Sequence, residues 1–343
     1  MLDSILKEIK LRKEYLNDNN TINTIYLGGG TPSLLSADEI NRIINSIATH
    51  FSIDANAEIT LEANPDNLDK VKLQSLKQTP VNRLSIGIQS FYDEDLILMN
   101  RAHDATMALR CVPDAADAGF SQITIDLIYA LPNLSNKRWI HNLKTAFALP
   151  VNHLSCYCLT IEPRTVLADM VKKNKVNIPD DENAAQQFQL LVELSANAGF
   201  EHYEISNFCR DKKYSKHNSN YWRGESYLGI GPSAHSYNGV SRQWNVSNNQ
   251  QYIKSIAEEM VPFTKEVLTS NQHYNEYILT SLRTCWGVEL DKLNNYGEQY
   301  AHYFLDQIER KILEKTVCQH EGTYTLTQKG KLFADKIASD LFI

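Results

Sequence analysis

Five short β-rich runs, separated by amphipathic helical patterns, fill the first half of the chain. This regular alternation restricts it to folds in which βα units feed a parallel sheet. The runs are residues 23–27 (NTIYL), 58–63 (EITLEA), 83–88 (RLSIGI), 122–129 (QITIDLIY) and 153–161 (HLSCYCLTI). Between the first two, Ser36 and Glu39 are spaced as a capping box, and Ile40, Ile43, Ile44 and Ile47 follow at helical spacing. A later helix is predicted from Asp104 to Gly119, with Ala105, Ala108, Leu109 and Val112 on one face and a kink at Pro113. One further helix, residues 1 to about 17, precedes the first run. A βα-built domain ordinarily opens on a strand, so the pattern suggests a start one strand late.

After about residue 162 the alternation lapses. Pro179 and Asp180 introduce a long helix carrying Ala184, Phe188, Leu191 and Leu194, which is expected to stop at Gly199. Residues 202–244 are dense in Tyr, Trp, His, Asn and Gly, too aromatic for a linker. From about residue 268 several helices, two short strands near Val317 and Tyr324, and a helix from Gln328 suggest a small winged-helix-like unit. The expected division is therefore a partial barrel over 1–165, a barrel extension over 166–265 and a C-terminal domain over 266–343, in the α/β class.

Strand facing decides where ligands can sit. In the second run Ile59, Leu61 and Ala63 form the apolar face, leaving Glu58, Thr60 and Glu62 opposite. In the third, Ser85, Gly87 and Gln89 oppose Leu84, Ile86 and Ile88. In the fourth, Thr124 and Asp126 oppose Ile123, Ile125 and Leu127. Helices outside a barrel need the apolar face, so the polar face is the lumen. Glu62, Gln89 and Asp126 then converge at the carboxyl ends of the strands, where such folds hold ligands. Each alone can instead cap a helix or pair with a cation; three in register favour a ligand site. The first run leads into Gly28, Gly29 and Gly30, whose lack of Cβ permits positive φ and close backbone approach by a small polar ligand. No Gly-Lys-Ser/Thr follows, so this is not a phosphate loop.

The net charge of −7 argues against nucleic-acid binding, which needs a basic face. No apolar run approaches the ~18 residues of a membrane helix, and the charged, amphipathic opening lacks the form of a signal peptide; a cytoplasmic location is expected. The six cysteines, Cys111, Cys156, Cys158, Cys209, Cys285 and Cys318, lack metal-site spacings. Cys156 and Cys158 alternate as if on one face of a buried strand, as suits reduced thiols.

The segments YLGGGTPSLL, LEANPD, NRLSIGIQSF, MNRAHD and IDLIYALP resemble, in order and spacing, the SAM-binding half of coproporphyrinogen III oxidase-like proteins of the radical S-adenosylmethionine (SAM) superfamily. The resemblance runs from residue 20 to the carboxyl terminus. It implies that the backbone of Gly29, Gly30 and Thr31 meets the methionyl amino group of SAM and that Arg101 holds its carboxylate. Glu62, Gln89 and Asp126 would contact the amino-acid and ribose parts, with Ile230 nearby. Arg101 suits its role, because a guanidinium grips a carboxylate in bidentate fashion. The stretch from His217 to Gly239 resembles the HemW-like heme chaperone branch through His217, Asn218, Tyr221 and Trp222, in the pattern HNxxYW. These residues would hold heme: imidazole can ligate iron, and Tyr and Trp can pack on a porphyrin. His217 can equally be a hydrogen-bonded structural residue, and Lys212, Lys213 and Lys216 either a propionate contact or a solvated loop.

Family members carry, after a first strand, a Cys-x-x-x-Cys-x-x-Cys loop for a [4Fe–4S] cluster, and this sequence contains no such spacing. The resemblance therefore implies a chain beginning inside the first core helix of a shortened product, its cofactors SAM and heme, with the cluster's ligands missing and no metal ligand assigned. It also implies an exposed, pairing-prone edge at residues 23–27. The function implied is that of a heme chaperone delivering heme to a recipient haemoprotein, with any membrane contact made through that recipient. The alternative is a SAM-dependent oxygen-independent coproporphyrinogen III oxidase-type enzyme, not competent in this form; a folded but inactive remnant is the third.

Overall fold

The computed structural model describes residues 1–16, 21–163, 165–173 and 175–343. Its strands are β1 (Ile22–Leu27), β2 (Ile53–Ala63), β3 (Arg83–Gln89), β4 (Ile123–Tyr129), β5 (His153–Cys158), β6 (Glu201–Glu204), β7 (Asn207–Cys209), β8 (His235–Tyr237), β9 (Ser241–Asn245), β10 (Phe263–Val267), β11 (Val288–Glu289), β12 (Val317–His320) and β13 (Thr323–Leu326). A seven-stranded sheet has the order β1-β2-β3-β4-β5-β7-β6. Its β2–β5 portion is parallel, and β7 and β6 close the far side antiparallel.

Helices Ala37–His50, Lys70–Leu76, Ala105–Asp117 and Asn136–Ala148 lie between consecutive strands from β1 to β5. Three are started by side-chain caps, with Asp69, Asp104 and Ser135 accepting from the backbone N–H of Lys72, Met107 and Arg138. Each satisfies one of the donors that a helix N-terminus leaves unpaired. The apolar strand faces are fully buried: Leu84, Ile86, Ile88, Ile125 and Leu127 are each 0% exposed.

Several local expectations change. The N-terminal helix ends at Leu11; Leu16 is buried but not helical, so its apolar period comes from a turn. β2 begins at Ile53, five residues earlier than the sequence suggests, because Asp54, Ala55 and Asn56 are exposed and carry no alternation. Cys158 is exposed while Cys156 is buried, since β5 leaves the core at its end. In helix Ala105–Asp117 the buried face is Ala108, Cys111, Val112 and Ala115, with Leu109 at 44% exposure. Pro113 lies inside this helix; the carbonyl its ring leaves unbonded is that of the exposed Leu109, which water can serve.

Helix Asp181–Asn197 is capped by Asp180 and followed by Gly199 at φ +80°. β10, β9 and β8 form a separate antiparallel sheet. The C-terminal region runs helix Ser270–Leu282, β11, helices Leu290–Tyr296 and Glu298–Leu313, then the β12–β13 hairpin, in a sheet of order β11-β13-β12. Helix, strand, two helices and a two-stranded wing is a winged-helix order.

The chain divides into two compact units. One comprises Met1–Ile25, Asp38–Ala57 and Lys216–Ile343; the other comprises Tyr26–Ala37 and Glu58–Ser215. No helix among the described residues is long and apolar enough to cross a membrane.

Candidate functional site

The polar face of the parallel strands is graded along its length. Near the strand starts it is sealed: Arg83 is 1% exposed, and its guanidinium donates to Thr124 Oγ1 at 2.8 Å and lies 3.5 Å from the Glu58 carboxylate. His153, also buried, shares a 2.6 Å hydrogen bond with the Tyr203 hydroxyl. Further along the same strands, towards their carboxyl ends, Glu62, Gln89 and Asp126 are only partly covered. The strands thus stand on a hydrogen-bonded polar plug and open at their carboxyl ends.

At that open end the glycine loop and β2 are tied together. Tyr26 donates its hydroxyl to Glu62 Oε1 at 2.7 Å, and the Gly29 N–H donates to Glu62 Oε2 at 3.2 Å. A Cβ at Gly28 would lie 2.6 Å from the Tyr26 ring and 2.9 Å from the Glu62 carboxyl carbon. Glycine at 28 is therefore required by the Tyr26–Glu62 contact itself. Gly29, at φ +78°, and Gly30 have nothing within 4 Å of a Cβ position, so their backbone faces open space, with Thr31 beside them half-buried.

A second convergence lies over Gly87. The space its side chain would fill is bounded by the Gln89 amide at 2.9 Å, the Arg101 guanidinium at 3.2 Å and the Asn64 side-chain oxygen at 3.7 Å. Arg101 donates to Asn64 Oδ1 at 2.7 Å and makes a longer contact, 3.4 Å, to the Gly87 carbonyl. Gln89 does not arrive there by simple alternation. The β3–β4 register shifts between Ile86 and Gln89, and Gln89 sits at φ +67°, an uncommon conformation that re-aims a side chain.

Asp126 joins the two groups electrostatically. Burial, then the neighbouring Glu62, pushes its carboxyl up to about 7, while the hydrogen bond from Ser155 and the charge of Arg101 pull the other way. Burial and then Glu62 raise the Tyr26 hydroxyl, so it remains a donor. Burial likewise raises the Cys156 thiol, with Asp126 adding to the effect, which keeps it protonated and a poor ligand. Of the residues the sequence singled out, Glu62, Gln89, Arg101, Asp126 and Gly29 are thus drawn together in one compact unit. Ile230 belongs to the other unit, in a loop where the Gly231 N–H donates to the buried Glu8. The sequence reading missed Tyr26, Asn64 and Ser155, whose partners lie 36, 37 and about 30 residues away. The position of Asn64 just after a strand's carboxyl end was the available signal.

The HNxxYW residues form helix Lys216–Trp222. His217 Nδ1 is 3.1 Å from Thr24 Oγ1, and Asn218 is half-buried. Tyr221 is 49% exposed and packs edge-on to Trp222 and obliquely on Tyr227. Lys216 donates to the Asn56 carbonyl at 3.0 Å, which turns its ammonium to a structural use. Lys212 and Lys213 belong to the other compact unit. Among the described residues no group of three His, Cys, Asp or Glu side chains could hold a metal ion.

The sequence matches the Radical SAM superfamily over residues 3–146. It is 34% identical over 320 residues to heme chaperone HemW of Bacillus subtilis, a match covering 92% of this chain and 84% of that one. It is 31% identical over 325 residues to heme chaperone HemW of Mycobacterium tuberculosis, covering 94% and 82%. Among solved structures, coproporphyrinogen III oxidase (HemN) from Escherichia coli, a radical SAM enzyme, superposes with a TM-score of 0.83 over 99% of this chain and 82% of its own, at 22% identity. At that identity the likeness establishes the fold, a curled and parallel-rich half-barrel.

Proposed function

We propose that this chain, which belongs to the HemW family of the radical SAM superfamily, is a heme chaperone: it binds SAM at the open end of the half-barrel, carries heme on the HNxxYW helix and passes it to a haemoprotein. The observation that carries the reading is the HemW-level identity over 92% of the chain, a span long enough to include both the half-barrel strands and the helix at residues 216–222. A reducing interior compartment suits its cysteine thiols.

The residues at the strand ends fit SAM. Arg101, held by Asn64, offers a fork to the methionyl carboxylate, and the uncrowded backbone of Gly29, Gly30 and Thr31 offers polar groups to the amino group. Asp126 and Gln89 suit ribose hydroxyls, and the carboxylates of Glu62 and Asp126 suit a cationic ligand. When bound, SAM supplies a sulfonium-activated carbon. The described cysteines do not fit a [4Fe–4S] cluster, since they form no group of ligands, and no step is derived through one.

On the heme side, His217 and Asn218 supply polar groups while Tyr221 and Trp222 supply the ring faces on which a porphyrin can stack. Titration of ferric heme, followed by the Soret band, is expected to saturate in the wild type and to weaken about tenfold or more in the H217A/Y221A variant. Absence of saturable binding, or indifference to those substitutions, overturns the heme reading. The SAM half is checked separately by calorimetry with Arg101→Gln, which is expected to lose at least tenfold in affinity.

A further inference from the structure

The loop that follows helix Asp93–Leu98 is strapped onto the end of β3. Arg101 makes its 3.4 Å contact to the Gly87 carbonyl, and two residues on, His103 Nε2 lies 3.0 Å from the carbonyl of Ile88. Successive carbonyls of the strand are thus met by side chains at alternate positions of one loop. The Ile88 carbonyl also accepts from the Ser90 N–H at 2.8 Å. That bond closes a γ-turn centred on Gln89 at φ +67°, the rare and strained form of this turn. Beyond the turn Ser90 is anchored as well: its hydroxyl donates to the buried Asp95 at 2.6 Å and accepts from the Asn142 amide at 3.1 Å. A residue other than glycine keeps such a conformation only where its surroundings over-determine it.

The His103 side chain is 0% exposed, and its chemistry is committed to this one bond. Burial above all lowers its pKa, with Arg101 acting in the same direction and the Ile88 bond, Asp66 and Asp104 opposing. The ring is therefore neutral near pH 7 and carries a single N–H. A carbonyl only accepts, so that proton sits on Nε2. Nδ1 is left bare: among the described residues it has no hydrogen-bond partner, and Asp66 Oδ1 at 4.0 Å is beyond hydrogen-bond reach. An aliphatic side chain would fill the same space without stranding a buried nitrogen. What histidine adds is the Nε2–H on Ile88.

We infer that His103 is a positioning residue for SAM: by holding the Ile88 carbonyl it keeps Gln89 in its left-handed turn, so that the Gln89 amide and the Arg101 guanidinium converge over Gly87 before the ligand arrives. This deepens the SAM reading and rests on it. The convergence is close, with the Gln89 amide nitrogen and an Arg101 nitrogen standing 2.9 and 3.2 Å from one point above Gly87. Donors preset in this way need less ordering on binding than donors that must be assembled. Enclosed as it is, His103 acts only through the turn.

The test uses the full chain and two readouts. One is SAM affinity by calorimetry; the other is the pair of side-chain amide signals of Gln89 in isotopically labelled protein without SAM, assigned by their loss in Q89A. His103→Leu fills the space without the N–H and is expected to shift the Gln89 signals and weaken SAM about tenfold, a change of about 1.4 kcal/mol. His103→Gln places an amide nitrogen as many bonds from the backbone as Nε2. It is expected to restore the signals and to bring the affinity within about threefold of the wild type. In a Q89A background His103→Leu is expected to change SAM affinity by less than about twofold, because residues acting through one another do not add. Unmoved Gln89 signals or unchanged SAM affinity in H103L, or an equal loss with and without the Gln89 side chain, overturns the inference. Failure of the wild type to bind SAM overturns the SAM reading itself, while the Gln89 signals still decide whether His103 holds the turn. If H103L folds poorly, H103N, whose amide stops one bond short of the Ile88 carbonyl, takes its place with the same outcomes.

Discussion

Asp126 shows how one side chain's chemistry is set by its surroundings. Its carboxyl, pushed up to about 7 by burial and by Glu62, binds its proton more tightly folded than in the unfolded chain, where an aspartate titrates near its ordinary value of 3.8. Between these values the folded state holds more protons than the unfolded one, so this group's contribution to stability falls as pH rises from about 4 through 7. Asp126→Asn keeps an acceptor for Ser155 and removes the charge. Urea denaturation at pH 5 and pH 8 is expected to show the variant gaining on the wild type at the higher pH; a constant difference between the two would refute the assignment. Asp126 was reachable from the alternation of residues 123–127. Its altered acidity was not, because that depends on Glu62 and Arg101 brought beside it from other strands and loops.

Among elements, the glycine loop separates two uses of the same residue. Gly28 is needed because Tyr26 and Glu62 close over it, whereas Gly30 meets nothing. Gly28→Ala is expected to cost roughly 1–3 kcal/mol, the usual range for forced overpacking, as the Tyr26–Glu62 bond gives way. Gly30→Ala is expected to leave the denaturation midpoint nearly unchanged while weakening SAM binding measured by calorimetry. Equal destabilisation by both would show that the loop is merely a tight turn. The triplet was visible in the sequence, but its division of labour was not. The same holds for β3, where strict alternation aimed Gln89 at the lumen; Gln89 reaches Arg101 instead through a register shift and a left-handed backbone. A period-two pattern carries no information about such a bulge.

At the scale of the molecule, the N-terminal helix is fixed by contacts that span most of the chain. Glu8 is fully buried and accepts from the Gly231 N–H at 2.8 Å, the Asn245 amide at 2.7 Å and the Tyr252 hydroxyl at 2.7 Å, across separations of 223, 237 and 244 residues. One turn on, Arg12 approaches the Ser236 hydroxyl at 3.4 Å. Glu8→Ala leaves the buried Gly231 N–H and Tyr252 hydroxyl without an acceptor and removes one of the two acceptors of the Asn245 amide, and each such loss costs about 1–3 kcal/mol. A loss of 3 kcal/mol or more in urea denaturation is therefore expected, and a change below 1 kcal/mol would show that the hub is dispensable. The sequence by itself determined the βα alternation, the polar face of the strands and the family, because periodicity and motif spacing are local properties. Only the tertiary structure decided that Glu8 is a core anchor, that Asn64 holds Arg101, and that His103 meets the Ile88 carbonyl. Those partners are chosen by chain closure over tens to hundreds of residues, and no local pattern records which distant side chain will lie within 3 Å.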